Sequence, residues 1–326
     1  MAEGSATWPY TGAMRLQSLK ALVAIAEHGS FSNAALELGL SQSSVSHAIA
    51  ELEDELGVKL LERGRHGATT TAVGERVVAH ARRIERGADA ILQEASCEHG
   101  ELQGTVRVAS FRSLAKHVLA PVLTVLRSSH PGLVVEVEAL SSQWSDASAA
   151  MLATRADLLL TLESVAGEAI FWKLIHDPYV AVVPSSWQGG DVGVLGDLVD
   201  RPLILNDGPC SWPMRERLLE LDPSVRPEFE ISEDSTMVAL AAQGLGIALM
   251  PELTVDAVPH GARVIGLEER IERVIGVAVQ PGALKIPAVR VFLDAVRGLF
   301  PESAVPALST MWGRTAEVGR SVTTLT

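Results

Sequence analysis

An all-helical start, one long helix, and then strands alternating with helices are what this sequence predicts, and three observations carry it. Apolar residues at helical spacing fill 17–28, 31–38, 41–57 and 72–97. Glycines stop the first three of these stretches. From Thr105 onward, short apolar runs alternate with amphipathic segments, the pattern of α/β units.

The first helix, about 17–28, gathers Leu19, Leu22, Val23 and Ala26 on one face and stops at Gly29. Residues 31–38 make a shorter helix closed by Gly39, and only Gly39 and Leu40 separate it from Ser41, a good N-cap. In the helix that follows, Val45, Ala48, Ile49, Leu52 and Leu56 form an apolar stripe, and Gly57 ends it. Its opposite face carries Ser43, Ser46, His47 and Ala50, small or hydrogen-bonding groups. Two helices joined by so short a glycine turn are the sequence form of a helix-turn-helix, whose second helix enters the DNA major groove. Residues 58–63 and 68–71 read as two short strands around Gly64-Arg-His-Gly67, a hairpin wing with Arg63 and Arg65 near its tip or edge. Such cations suit phosphate or minor-groove contact.

Thr71 caps the next helix, 72–97. Val77, Ala81, Ile84, Ala88, Ile91 and Ala95 repeat at 4-3-4-3-4, a 3.5-residue seam. Three heptads of mostly small residues suit a coiled-coil partner or a globular core. His99-Gly100 and Gly104 mark a hinge. Beyond it, strands are predicted at 106–109, 133–140, 157–161, 179–183, 202–205, 246–250 and 274–279. Helices are predicted at 113–128, 214–221, 235–243 and 286–299, and the sheets are expected to be largely parallel. After Pro301 no periodicity remains, and a mostly unstructured tail is expected.

Composition bounds the function. With 326 residues and 47% hydrophobic content, the chain is globular and suggests two or three domains. No apolar run reaches membrane-spanning length, and residues 1–13 lack the pattern of an export signal. Two cysteines, Cys97 and Cys210, fit a reducing cytoplasm and allow no disulfide framework. Cys210 reads as an isolated thiol rather than a redox sensor. The net charge of −13 argues mildly against nucleic acid: residues 1–97 hold nine Lys and Arg against twelve Asp and Glu. A DNA-binding role would therefore rest on a few placed groups and several copies of the chain. Enzyme motifs are missing. There is no phosphate loop and no His-Glu-x-x-His, and Gly244-x-Gly246 is followed by Leu249 where a dinucleotide fingerprint needs glycine. No cofactor and no metal are expected.

Five blocks stand in order within residues 29–75: Gly29-Ser-Phe-Ser-Asn-Ala-Ala35, Ser41-Gln-Ser-Ser-Val-Ser46, Leu52-Glu-Asp-Glu-Leu-Gly57, Leu60-Leu-Glu-Arg63 and Thr71-x-x-Gly-Glu75. Their spacing closely resembles the LysR-type transcriptional regulators, and a weaker resemblance continues to about Phe300. The resemblance implies a winged helix-turn-helix DNA-binding domain at 14–71, a linker and dimerisation helix at 72–100, and a two-lobed α/β effector-binding domain at 101–303 like a bacterial solute-binding protein. Lobe 1 would take 101–177 and 281–303 and lobe 2 would take 178–280, with crossings near Asp177–Pro178 and Gln280–Gly282. Promoter DNA, a small-molecule effector and copies of the chain as dimers or tetramers would be its partners, and no membrane.

By position, the resemblance assigns DNA contact to Ser32, Asn33, Gln42, Ser43, Ser46, His47, Arg63 and Arg65. Gln suits an adenine edge, and Ser and His suit base edges or phosphates. Proline and arginine are frequent in the family where this chain has Ser43 and His47, which removes a permanent charge from the reading face. The effector cleft would be lined by Ser110, Arg112, Ser113, Ser141, Ser142, Thr161, Asn206, Ser235 and Thr236. Helix starts and Arg112 would suit an anion. The alternative is a solute-binding or transport protein without DNA function.

Overall fold

The computed structural model describes residues 14–64, 67–98, 102–140, 155–167 and 169–301. Two units form, one through Ala95 and one mainly from Ser96 onward. Arg65, Ser141, Ser142 and the tail after Pro301 lie outside the described residues, apart from Pro301 itself. Among the described residues no helix is long and apolar enough to cross a membrane.

In the first unit, helices α1 (Leu16–His28), α2 (Phe31–Glu37) and α3 (Gln42–Leu56) surround one core. Leu22 and Ile25 of α1, Ala34 of α2, and Val45, Ile49 and Leu52 of α3 are almost fully buried in it. The α3 ends are the ones its sequence specifies. Ser41 accepts the Ser44 N–H at 3.1 Å, and Gly57 takes φ 67°, a left-handed conformation that glycine adopts without steric cost. The wing is an antiparallel pair, β1 (Leu61–Gly64) with β2 (Gly67–Thr70).

β1 starts later than the expected residue 58 because the N–H groups of Leu60 and Leu61 are taken by a side chain. Glu53, buried on α3, accepts both, at 2.8 and 3.2 Å, and also the Lys59 ammonium at 2.6 Å. Thr71 closes the wing by donating to Lys59 O and accepting the Gly74 N–H, both at 2.9 Å. Gly74 is required for close approach: a Cβ there would lie 2.0 Å from Leu60 O. Helix α4 (Ala72–Cys97) starts at that contact. On it, Ile84, Ile91 and Leu92 are exposed, at 44%, 71% and 70%.

The second unit contains both lobes. In the first, β3 (Gly104–Phe111) pairs in parallel with β4 (Leu133–Leu140) and β5 (Leu158–Leu162). The β3–β4 connection contains one continuous helical run, α5, built of Arg112–Leu114, a π turn at Ala115–Leu119 and Ala120–Ser129. Strand β6 (Ile170–Pro184) is a single strand serving both lobes. Its first half pairs with β12 (Glu272–Val279), and its second half pairs with β10 (Ile247–Pro251) and β11 (Ala262–Leu267). The second lobe adds short β7 (Val192–Gly193), α6 (Leu195–Leu198), β8 (Leu203–Leu205), α7 (Trp212–Leu221), β9 (Phe229–Glu230) and α8 (Asp234–Ala242). Helix α9 (Pro287–Leu299) returns to the core of the first lobe through Val289, Phe292 and Val296.

Two expectations change. The return crossing falls between β11 and β12, not near Gln280–Gly282, because β12 pairs antiparallel with β5 across Ile275–Val279 and so belongs to the first lobe. The sheets are also more mixed than expected, since every pair made by β6 and β12 is antiparallel.

Candidate functional site

On the first unit the polar side of α3 is open. Gln42, Ser43 and His47 are exposed, as are Ser32 and Asn33 at the start of α2. Much of this face is fixed by local bonds. Ser43 Oγ lies 2.8 Å from Ser41 Oγ, and the Asn33 N–H donates to the Ser30 cap at 3.1 Å. His47 Nδ1 lies 3.4 Å from Glu51 Oε1, one helical turn on. Arg63 comes in from the wing: its guanidinium carbon sits 4.5 Å from the Phe31 ring centre, and Nη2 donates to Ser46 Oγ at 3.0 Å. A cation is thereby placed beside the polar side of α3 by stacking and by one hydrogen bond.

The second unit presents a recess of about 180 Å³ where the lobes meet. Arg112 and Lys116 of α5 face it from the first lobe; Asp234 of α8 and Asp256 face it from the second. Among the described residues, two ion pairs cross from lobe to lobe at this recess. Arg112 grips both oxygens of Glu233, at 2.5 and 2.8 Å, and Lys116 meets Asp256 at 2.5 Å. Behind them lies a buried pair. Arg273 Nε donates to Asp177 Oδ2 at 2.8 Å, and Asp177 Oδ1 accepts the Leu253 N–H at 3.0 Å. Arg273 Nη2 also reaches Ser113 Oγ at 3.3 Å, so Ser113 is turned toward the crossing strands.

The other residues assigned to the cleft behave differently. Ser110 is buried and donates to Phe111 O at 3.0 Å. Asn206 is a loop fastener: its Oδ1 accepts the Gly208 N–H at 2.8 Å and its amide donates to Ser232 O at 3.2 Å. Ser235 donates to Glu233 at 3.1 Å, and Thr236 is exposed. Thr161 is fully buried, and its hydroxyl has no hydrogen-bond partner among the described residues. Of the assigned set, Arg112, Ser113 and Ser235 line the recess. Asp234 stands out there. Burial pushes its carboxyl up to about 6, against the downward pull of Arg273 and Arg112.

Residues 16–75 match the family model "Bacterial regulatory helix-turn-helix protein, lysR family", and residues 99–301 match "LysR substrate binding domain". The chain belongs to the LysR family. It is a DNA-binding transcription regulator with an effector-binding domain, and the matched helix-turn-helix removes the solute-transport alternative. Among curated relatives, it is 40% identical over 291 residues to a probable HTH-type transcriptional regulator, LrrA, of Synechococcus elongatus, covering 89% of this chain and 98% of that one. The fold is that of a full-length OxyR variant from Pseudomonas aeruginosa, with TM-score 0.68 and 23% identity over 87% of this chain and 94% of that one. It is also that of full-length CbnR complexed with its target DNA, with TM-score 0.62 and 21% identity over 87% and 99%.

For this regulator, sequence reasoning missed Glu53, Asp177, Glu233, Asp234 and Arg273. Each is a charged residue whose partner, where it has one, is not its helix neighbour, and no local spacing announces such pairings. Cys210 forms no disulfide, and its thiol meets the Arg273 side chain. Burial pushes the thiol up, which disfavours the reactive thiolate, and the Cys210 backbone carbonyl accepts the Tyr179 hydroxyl.

Proposed function

We propose that this regulator reads promoter DNA with the exposed side of α3 and is switched by a small molecule held where its two lobes meet. In this reading Gln42 takes a base edge, while Ser43, Ser46 and His47 reach bases or phosphates. Ser32 and Asn33 add contacts from α2. Arg63 grips the backbone. The observation that carries the DNA half is the Arg63–Ser46 bond beside exposed Gln42, which puts a cation and a base-reading amide on one surface. It also supports binding by few groups despite the acidic chain.

Two copies pair through α4. The exposed Ile84, Ile91 and Leu92 support this, since large apolar side chains left open on a long helix suit a second copy. Replacing Ile84 and Ile91 with Asp should give monomers by light scattering and abolish specific DNA binding; a variant that stays dimeric contradicts the seam. The effector contacts Arg112, Ser113 and Ser235, in the cytoplasm, with no chemistry performed on it. Selecting bound genomic fragments with purified protein, with and without candidate metabolites, tests the whole. One enriched sequence whose recovery changes with a metabolite is the expected result.

A further inference from the structure

We propose that the recess between the lobes takes a small aliphatic α-amino acid, with its carboxylate on Arg112 and its ammonium group on Asp234. This rests on the effector reading above and narrows it from an anion to a molecule carrying both charges.

The lining is balanced in sign. Arg112 and Lys116 enter from one side, Asp234 and Asp256 from the other. A dianion would meet Asp234, Asp256 and the nearby Glu233, and like charges brought together in a partly desolvated site are costly. A zwitterion meets complementary charge at both ends.

The existing bonds say which groups are already served. Lys116 and Asp256 neutralise each other, and Arg112 is held by Glu233. Glu233 therefore stands where a ligand carboxylate would sit, since a bidentate carboxylate is what a guanidinium fork accepts best. Asp234 has no such service. Its hydrogen bond to the Asn206 amide is long, at 3.5 Å, and it makes no ion pair among the described residues. The cations nearest to it, Arg112 and Arg273, are engaged by Glu233 and Asp177. An ammonium group would supply the missing donor and charge.

Beside the hydroxyls of Ser113, Ser235 and Thr254, part of the wall is apolar, with Val238, Leu253 and Pro259 in it. It suits a hydrocarbon side chain, and the volume admits a small metabolite rather than a peptide.

The test titrates the full-length protein, followed by heat of binding and by the thermal midpoint, with L-alanine, L-valine and L-leucine as probes. 4-Methylpentanoate is leucine without the ammonium group, and 3-methylbutylamine is leucine without the carboxylate. The expected result is that one of the amino acids binds and raises the midpoint, and that its analogues lacking either charge bind at least tenfold more weakly. Asp234→Asn should cost tenfold or more for the amino acid and little for 4-methylpentanoate. Should that substitution misfold, the analogue comparison on the unaltered protein still decides. Equal binding of leucine and 4-methylpentanoate, preference for a dicarboxylate such as succinate, or no binding of any amino acid overturns the proposal. Specific DNA binding by the same sample would show that the regulator reading had survived it.

Discussion

Two carboxylates, one in each unit, sit in partly buried surroundings and have been treated in opposite ways. Glu53 is pushed up by burial, but the Lys59 ammonium and the Leu60 and Leu61 N–H groups outweigh that and hold it below the usual range. Asp234 is pushed up by burial to about 6, and nothing outweighs it. The first charge serves architecture, because it fastens the wing to the back of α3. The second has been left under-served at a recess, a state that costs stability and persists where a partner is to be recruited. Structural and functional charges are thus separated by the number of donors around them rather than by residue type.

The largest effect that could break this comparison concerns a third carboxylate. Asp177 is fully buried and served by Arg273 and the Leu253 N–H. Asp177→Ala leaves Arg273 buried and unpaired, and should destabilise the second unit by about 3–5 kcal/mol in denaturant unfolding. A loss below about 1 kcal/mol would mean that the lobes relax to hydrate the arginine, against the burial seen.

Next comes Glu53. Glu53→Ala strands two backbone N–H groups and should cost the first unit about 1–3 kcal/mol. The pH sign follows from the depressed value. The carboxylate's stabilisation is complete above the ordinary glutamate range and is lost as pH falls through the lower folded value. Unfolding of the first unit should therefore be acid-sensitive in the native protein and less so in Glu53→Gln. Identical acid profiles would place the wing's attachment elsewhere.

Asp234→Asn should act in the other direction. A folded value raised from 3.8 to about 6 means that ionisation opposes folding, with the full penalty above about 6 and none below about 4. The substitution should raise the thermal midpoint of the second unit at pH 7 by a few degrees and leave it unchanged at pH 4. A lower midpoint at pH 7 would show that Asp234 is a served structural charge like Glu53.

What was legible in the sequence follows the same division. Locally encoded features came out closely: α3 runs between Ser41 and Gly57 as its cap and stop require, and β4, α4 and α9 fall within a residue of expectation. Features that need a distant partner did not. The first half of β6, with Lys173 and His176 among its apolar residues, is a strand because β12 lies beside it. The return crossing depends on β12 choosing β5, more than a hundred residues earlier in the chain. Arg112 could be picked as a charge after β3, but its partner Glu233 is 121 residues away, and the Asp177–Arg273 pair spans 96. The π turn inside α5 has no periodicity of its own to betray it.

The most direct measurement of the central claim is DNA affinity by fluorescence anisotropy on the selected site and on a scrambled one, over a series of salt concentrations. For Gln42→Ala, the preference for the selected site should drop by about 1–3 kcal/mol while the salt slope stays unchanged. For Arg63→Ala, both sequences should weaken alike, and the salt slope should fall by about 0.9 for each phosphate no longer neutralised. If Gln42→Ala leaves the preference intact, or if the native protein binds both sequences equally, then the exposed side of α3 does not read DNA.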